Sequence, residues 1–169
     1  METIKETITF YLPAIIKEAN KRFKIFKSAI EYSSLSTKLK SELISNILEA
    51  SVKKVVPCSI APLSDHEPDL IINNIPLEIK TAKTSHTWRS GTFCKRESDY
   101  LLVSYDDTQE NLKWFFLFTN LMKKDWKISG SKSYYATTID LDFVMENKEC
   151  EILKGTFLKK RTRKHLICT

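Results

Sequence analysis

Glycine is nearly missing from this chain, with three in 169 residues. Loops that cradle phosphates on backbone N–H groups need several closely spaced glycines, so a nucleotide-binding loop of that kind is excluded. Cysteine is scarce and scattered. Cys58, Cys94, Cys150 and Cys168 show no CxxC spacing, which indicates neither a zinc site nor a disulfide framework, and reduced structural thiols are expected. Long apolar runs are missing as well. The first stretch, "METIKETITFYLPAIIKEANKRF", breaks its hydrophobic residues with Glu, Lys and Pro, and nothing later approaches the length of a membrane span. No internal repeat, low-complexity tract or Pro/Gly/Ser linker divides the chain. The expectation is a soluble, cytoplasmic protein with no membrane partner.

What is present suits one domain. At 42% hydrophobic the chain can bury one core and is too short for two full ones. Its formal net charge of +6 favours a polyanionic partner such as nucleic acid. From residue 3 to about 21, Ile8, Tyr11, Leu12, Ile15 and Ile16 recur at helical spacing, with Pro13 threatening a kink. A second helix is expected over residues 36–53. There Leu39, Leu43, Ile44, Ile47 and Leu48 share a face, Lys38, Glu42, Ser45 and Glu49 take the other, and the Ser/Thr-rich start offers an N-cap.

Past Pro57 the pattern turns to strands. Ile71, Ile72, Ile75, Leu77 and Ile79 mark the first, "SDYLLVSYDD" and "LKWFFLFTN" pair across the turn-like "DDTQEN", and "SYYATTIDLDFVM" alternates about Ile139, Leu141 and Phe143. The aromatics of "LKWFFLF" run on without polar interleaving, as in a buried strand rather than a base-stacking platform. Residues 84–98 lack periodicity and read as a long loop. The expectation is an α+β domain with helices over 1–55, a sheet and loop over 56–145, and a basic C-terminal segment over 146–169.

The segment "PDLIINNIPLEIK", residues 68–80, sets two acids and a lysine among apolar residues. Asn73-Asn74 suits a two-residue hairpin turn, because Asn tolerates the positive φ such turns demand. That turn pairs Ile72 with Ile75, Ile71 with Pro76, Leu70 with Leu77, and Asp69 with Glu78. Leu70, Ile72, Ile75, Leu77 and Ile79 then share one face, and Asp69, Ile71, Pro76, Glu78 and Lys80 the other. Ile71/Pro76 is a non-hydrogen-bonded pair, so the missing proline N–H costs no bond. Asp69/Glu78 is the next such pair, with Cα atoms about 4.5 Å apart, and two carboxylates so close need a neutraliser. Mg²⁺ accepts such hard oxygens, and Lys80 on the same face can orient or deprotonate a water and offset phosphate charge. Phosphodiester hydrolysis is the chemistry these groups assemble. The other reading keeps Asp69 as a strand cap, with Glu78 and Lys80 on a solvated sheet face.

Pro68-Asp69 followed by Glu78-Ile79-Lys80 resembles the PD-(D/E)xK nuclease superfamily, and within it the type II restriction endonucleases, mainly over residues 40–120. The resemblance implies a restriction-endonuclease-like core, α/β/α in its layers, with a central mixed sheet flanked by helices. It implies Asp69 and Glu78 as Mg²⁺ ligands and Lys80 as the catalytic lysine. It also implies a third acid from the helix before the sheet, a place Glu49 or Glu42 can fill. The implied substrate is double-stranded DNA, and symmetry adds a homodimer, since a palindromic site takes two copies of one small active site. A Holliday-junction resolvase and a non-catalytic nucleic-acid-binding module remain open beside this reading.

The stretch after the lysine, "KTAKTSHTWRSGTFCKRESDY", offers Lys83, His86, Trp88, Arg89, Lys95 and Arg96 as DNA contacts. Arginine can bind guanine edges or clamp phosphate, lysine serves phosphate, and Trp88 can insert against a base or pack against the core. The run "KKRTRKH" at 159–165 is a further candidate for phosphate contact.

Overall fold

A computed structural model describes residues 3–57, 59–60, 68–90, 97–131 and 134–155. Helix α1, Ile4–Ala29, starts at a capping box in which Glu6 N donates to Thr3 Oγ1 at 3.2 Å and Thr3 N donates to Glu6 Oε2 at 2.8 Å. Its apolar stripe, Ile4, Ile8, Leu12, Ile15, Ala19 and Phe23, continues past residue 21, and so does the helix. Pro13 does not end it. The proline lies on the exposed side, where water can take up the Thr9 carbonyl that loses its helical donor. Helix α2, Thr37–Val55, is capped by Ser36 as expected and buries Ile44, Ile47, Leu48 and Val52, while Leu39 in its first turn is half exposed.

Among the described residues the strands are β1 Ser59–Ile60, β2 Leu70–Ile72, β3 Ile75–Ala82, β4 Thr87–Ser90, β5 Ser98–Asp106, β6 Lys113–Leu121, β7 Lys127–Ser131, β8 Tyr134–Asp140 and β9 Cys150–Lys154. Six form a mixed sheet in the order β1-β2-β3-β5-β6-β9, with β3 and β5 parallel and every other pair antiparallel. The other three form a small sheet, β4-β8-β7. On one face of the large sheet, Leu77, Ile79, Leu101, Val103 and Phe116 pack with α1 and α2. On the other, Tyr100, Leu102, Phe115 and Leu117 pack with Trp88, Ile139 and the short helix α3, Leu141–Asn147. Burial on both faces is why the "LKWFFLF" strand shows no polar alternation. Both long helices thus cover one face, and a sheet with a single short helix covers the face where flanking helices were expected.

Two expectations fail here. Residues 84–98 are not a structureless loop, because β4 lies within them and pairs with β8 from Thr87↔Asp140 to Ser90↔Thr137. A four-residue strand whose partner lies about fifty residues away leaves no local pattern to find. The strand read through Phe143 ends at Asp140, whose carboxylate accepts from Phe143 N at 2.9 Å and starts α3, so Leu141 and Val144 are buried at helical spacing. The C-terminal segment contains β9, which joins β6 as an edge strand. The run at 159–165 lies outside the described residues. Among the described residues no helix is long and apolar enough to cross a membrane.

Candidate active site

The hairpin has the expected register: Ile72↔Ile75, Ile71↔Pro76 and Leu70↔Leu77. Asn73 and Asn74 take φ of 50° and 65°, the two positive values a type I′ turn requires. Leu70, Ile72, Leu77 and Ile79 are buried toward the helices, and Ile75 beside the turn is partly exposed. The ladder then stops one rung short of the expected Asp69/Glu78 pair. In a longer hairpin Ile79 N–H would go to Pro68. Instead the Asp69 carboxylate turns in and Oδ2 accepts that N–H at 2.7 Å. Strand β3 runs on to Ala82 without β2 beside it, and the site lies along this open edge.

Lys80 Nζ stands 3.2 Å from Asp69 Oδ2 and 3.3 Å from Glu78 Oε2. The neutraliser that two adjacent acids need is, as arranged here, this ammonium. Helix α2 brings a third acid: Ser45 Oγ donates to Glu49 Oε1 at 3.2 Å, and Glu49 feels the charges of Asp69, Lys80 and Glu78. The tie between Ser41 Oγ and Tyr105 OH, 3.1 Å, helps hold that helix over the sheet. Glu42, the other helix acid, also borders the cleft but is exposed and loosely paired with Lys38 at 3.8 Å. Asp69, Lys80, Glu49, Ser45 and Arg89 line an open cleft of about 220 Å³.

Charge is strained in this cleft. Burial pushes Glu49 up to about 7, and the Asp69 carboxylate adds to the rise against the opposing pull of Ser45 and Lys80. Burial also raises Glu78, with Asp69 adding to the shift and Lys80 offsetting part of it. For Lys80, burial favours the neutral amine, yet the two carboxylates outweigh it and hold the ammonium above the ordinary lysine value. Asp69, Glu78 and Glu49 set three carboxyl groups about the Lys80 ammonium, with Glu42 and Arg89 also on the cleft wall. Hard oxygens in that setting fit a divalent cation by donor chemistry, although among the described residues no three His, Cys, Asp or Glu are gathered as a ready-made metal-holding group.

The expected DNA contacts divide. Arg89, the outward residue of β4, is exposed and lines the cleft. Lys83 is ion-paired with Asp107 at 2.9 Å, and Tyr32 OH also donates to that carboxylate, at 2.7 Å. His86 and Trp88 belong to the core, which corrects their reading as surface contacts. Trp88 Nε1 donates to the Val103 carbonyl at 2.9 Å, and His86 Nδ1 lies 2.9 Å from Ser104 Oγ with its ring edge-on to Phe115. Both are inward because β4 belongs to the small sheet, whose inner side packs on Tyr100, Leu102, Phe115 and Leu117 of the large one. Lys95 and Arg96 lie outside the described residues. Ser45 is a positioning group whose role was readable only as the (i, i+4) partner of Glu49. No family model matches this chain, and no curated protein matches it.

Proposed function

We propose that the chain is a Mg²⁺-dependent endodeoxyribonuclease of the PD-(D/E)xK kind, a type II restriction enzyme hydrolysing phosphodiester bonds of duplex DNA. The observation that carries the reading is Lys80 Nζ bridging Asp69 and Glu78 in an open cleft, with the half-buried Glu49 beside them. Asp69, Glu78 and Glu49 would hold the ion. When bound, Mg²⁺ supplies Lewis acidity and charge neutralisation at the scissile phosphate. Lys80, held charged by two carboxylates, does not remove a proton; it donates hydrogen bonds that orient an attacking water or offset phosphate charge. Glu49, held at about 7 by burial and the Asp69 charge, would give up its proton on taking the ion, so metal binding would strengthen as pH rises through neutrality. A homodimer places one cleft on each strand of a palindromic duplex.

A second reading is a nucleic-acid-binding module whose acids and lysine form a structural triad. It is favoured by the fact that Lys80 already pairs with both Asp69 and Glu78, as a structural triad would. Digestion of a sequenced plasmid with Mg²⁺, with the ends mapped, separates the two. Discrete fragments, absent in EDTA, are expected. Random nicking or preferential cutting of branched junctions would replace restriction with a nonspecific or structure-selective nuclease, and binding without cleavage would leave the module.

A further inference from the structure

A second groove, of about 780 Å³, leaves the acidic cleft between the first half of α2 and the ends of β3 and β4. The two spaces share Ser41, Glu42, Thr81 and Arg89 as walls, so they lie side by side with Arg89 between them. Among the described residues the rest of the groove wall carries Thr37, Lys38, Ala82, Lys83, Ser85 and Thr87, with no aromatic side chain and with the shared Glu42 as its one acid. The cations differ in how free they are. Lys83 is held by Asp107, and Lys38 is loosely engaged by Glu42, whereas Arg89 makes no ion pair among the described residues.

We infer that this groove carries the sugar–phosphate backbone of the strand being cut, with Arg89 as the phosphate clamp at the mouth of the cleft. Hydroxyls, lysines and a guanidinium, with no aromatic platform among the described residues, suit phosphate and sugar oxygens rather than stacked bases. Arg89 stands beside the acids that would bracket the scissile phosphate, so it meets backbone rather than a guanine edge. It therefore contributes affinity evenly across sequences, and base reading falls to other parts of the chain. The assignment of the strand as the one being cut rests on the hydrolase reading; the binding itself does not.

The test is fluorescence anisotropy of a labelled duplex of mixed sequence with the full chain in EDTA, over a range of salt, for wild type, Arg89→Ala and Arg89→Lys. Arg89→Ala is expected to weaken binding about tenfold, the loss of one charge-assisted contact. It should also flatten the slope of log affinity against log salt by about 0.9, for duplexes of different sequence alike. Arg89→Lys should restore the slope and part of the affinity. Unchanged affinity and slope in Arg89→Ala, or a loss confined to one duplex sequence, overturns the clamp. Plasmid nicking in Mg²⁺ is followed in parallel. Mg²⁺-dependent nicking with Arg89-independent binding removes the clamp and leaves the hydrolase; Arg89-dependent binding with no nicking removes the hydrolase and leaves the groove.

Discussion

The two halves of β3 behave as different objects. From Ile75 to Leu77 the strand is paired with β2, and its inward residue Leu77 is fully buried against the helices. From Glu78 to Ala82 it keeps β5 on one side but loses β2 on the other. The vacated edge is taken by a carboxylate from the chain and by the charged face of α2. The first half is held by β2, the tight turn and Leu77, the second by its ladder to β5 and the buried Ile79, with the charges gathered along its open edge. A strand that outruns its neighbour thus provides both a rigid base and an open edge, and that is where buried acids can stand while staying reachable from solvent.

Perturbing each half should therefore give different signatures. Largest is Leu77→Ala, which removes side-chain volume from the rigid half and should cost about 3 kcal/mol in denaturant unfolding. Next, Lys80→Met strands the two carboxylates. It should destabilise by about 2 kcal/mol at pH 8 and by much less at pH 4, where the acids can protonate, so the comparison of chemical denaturation at the two pH values isolates charge from packing.

Glu49→Gln should act with the opposite sign. Because the folded-state value of Glu49 is raised to about 7, the folded chain holds a proton there that the unfolded chain has released, and wild-type stability falls as pH rises from about 4.5 to 7. The amide escapes that penalty. It should stabilise by roughly 1–2 kcal/mol at pH 8 and be close to neutral at pH 4, as read by thermal melts. The smallest effect is Asn74→Gly at the turn. Its φ of 65° suits glycine, so a gain of about 0.5 kcal/mol is expected with no change in any activity of the cleft.

The same division separates what could be read in advance from what could not. The Asn-Asn turn and the alternation of Leu70, Ile72, Leu77 and Ile79 fix the hairpin register locally, and Ser36 marks the start of α2 because caps are local too. Where β2 leaves β3 is not local, since it depends on the Asp69 side chain competing with the Pro68 carbonyl for the N–H of Ile79. Trp88 carries no mark distinguishing an exposed loop from a buried crossover, because its burial follows from β8 arriving much later in the chain. Asp140 looks like the polar member of an alternating strand and is a helix cap. Among the candidate site residues, the Asp69, Glu78 and Lys80 spacing was visible in the segment itself. The choice of Glu49 over Glu42 as the acid beside them needed the packing of α2.

The most direct measurement is the rate of supercoiled-plasmid nicking in Mg²⁺ by wild type, Glu78→Gln and Lys80→Met, with thermal melts confirming that each is folded. A nuclease built on Glu78 and Lys80 should show Mg²⁺-dependent nicking by wild type that EDTA abolishes and that each substitution reduces at least about a hundredfold. A folded wild type that leaves the plasmid intact, or variants that nick as fast as wild type, would contradict it.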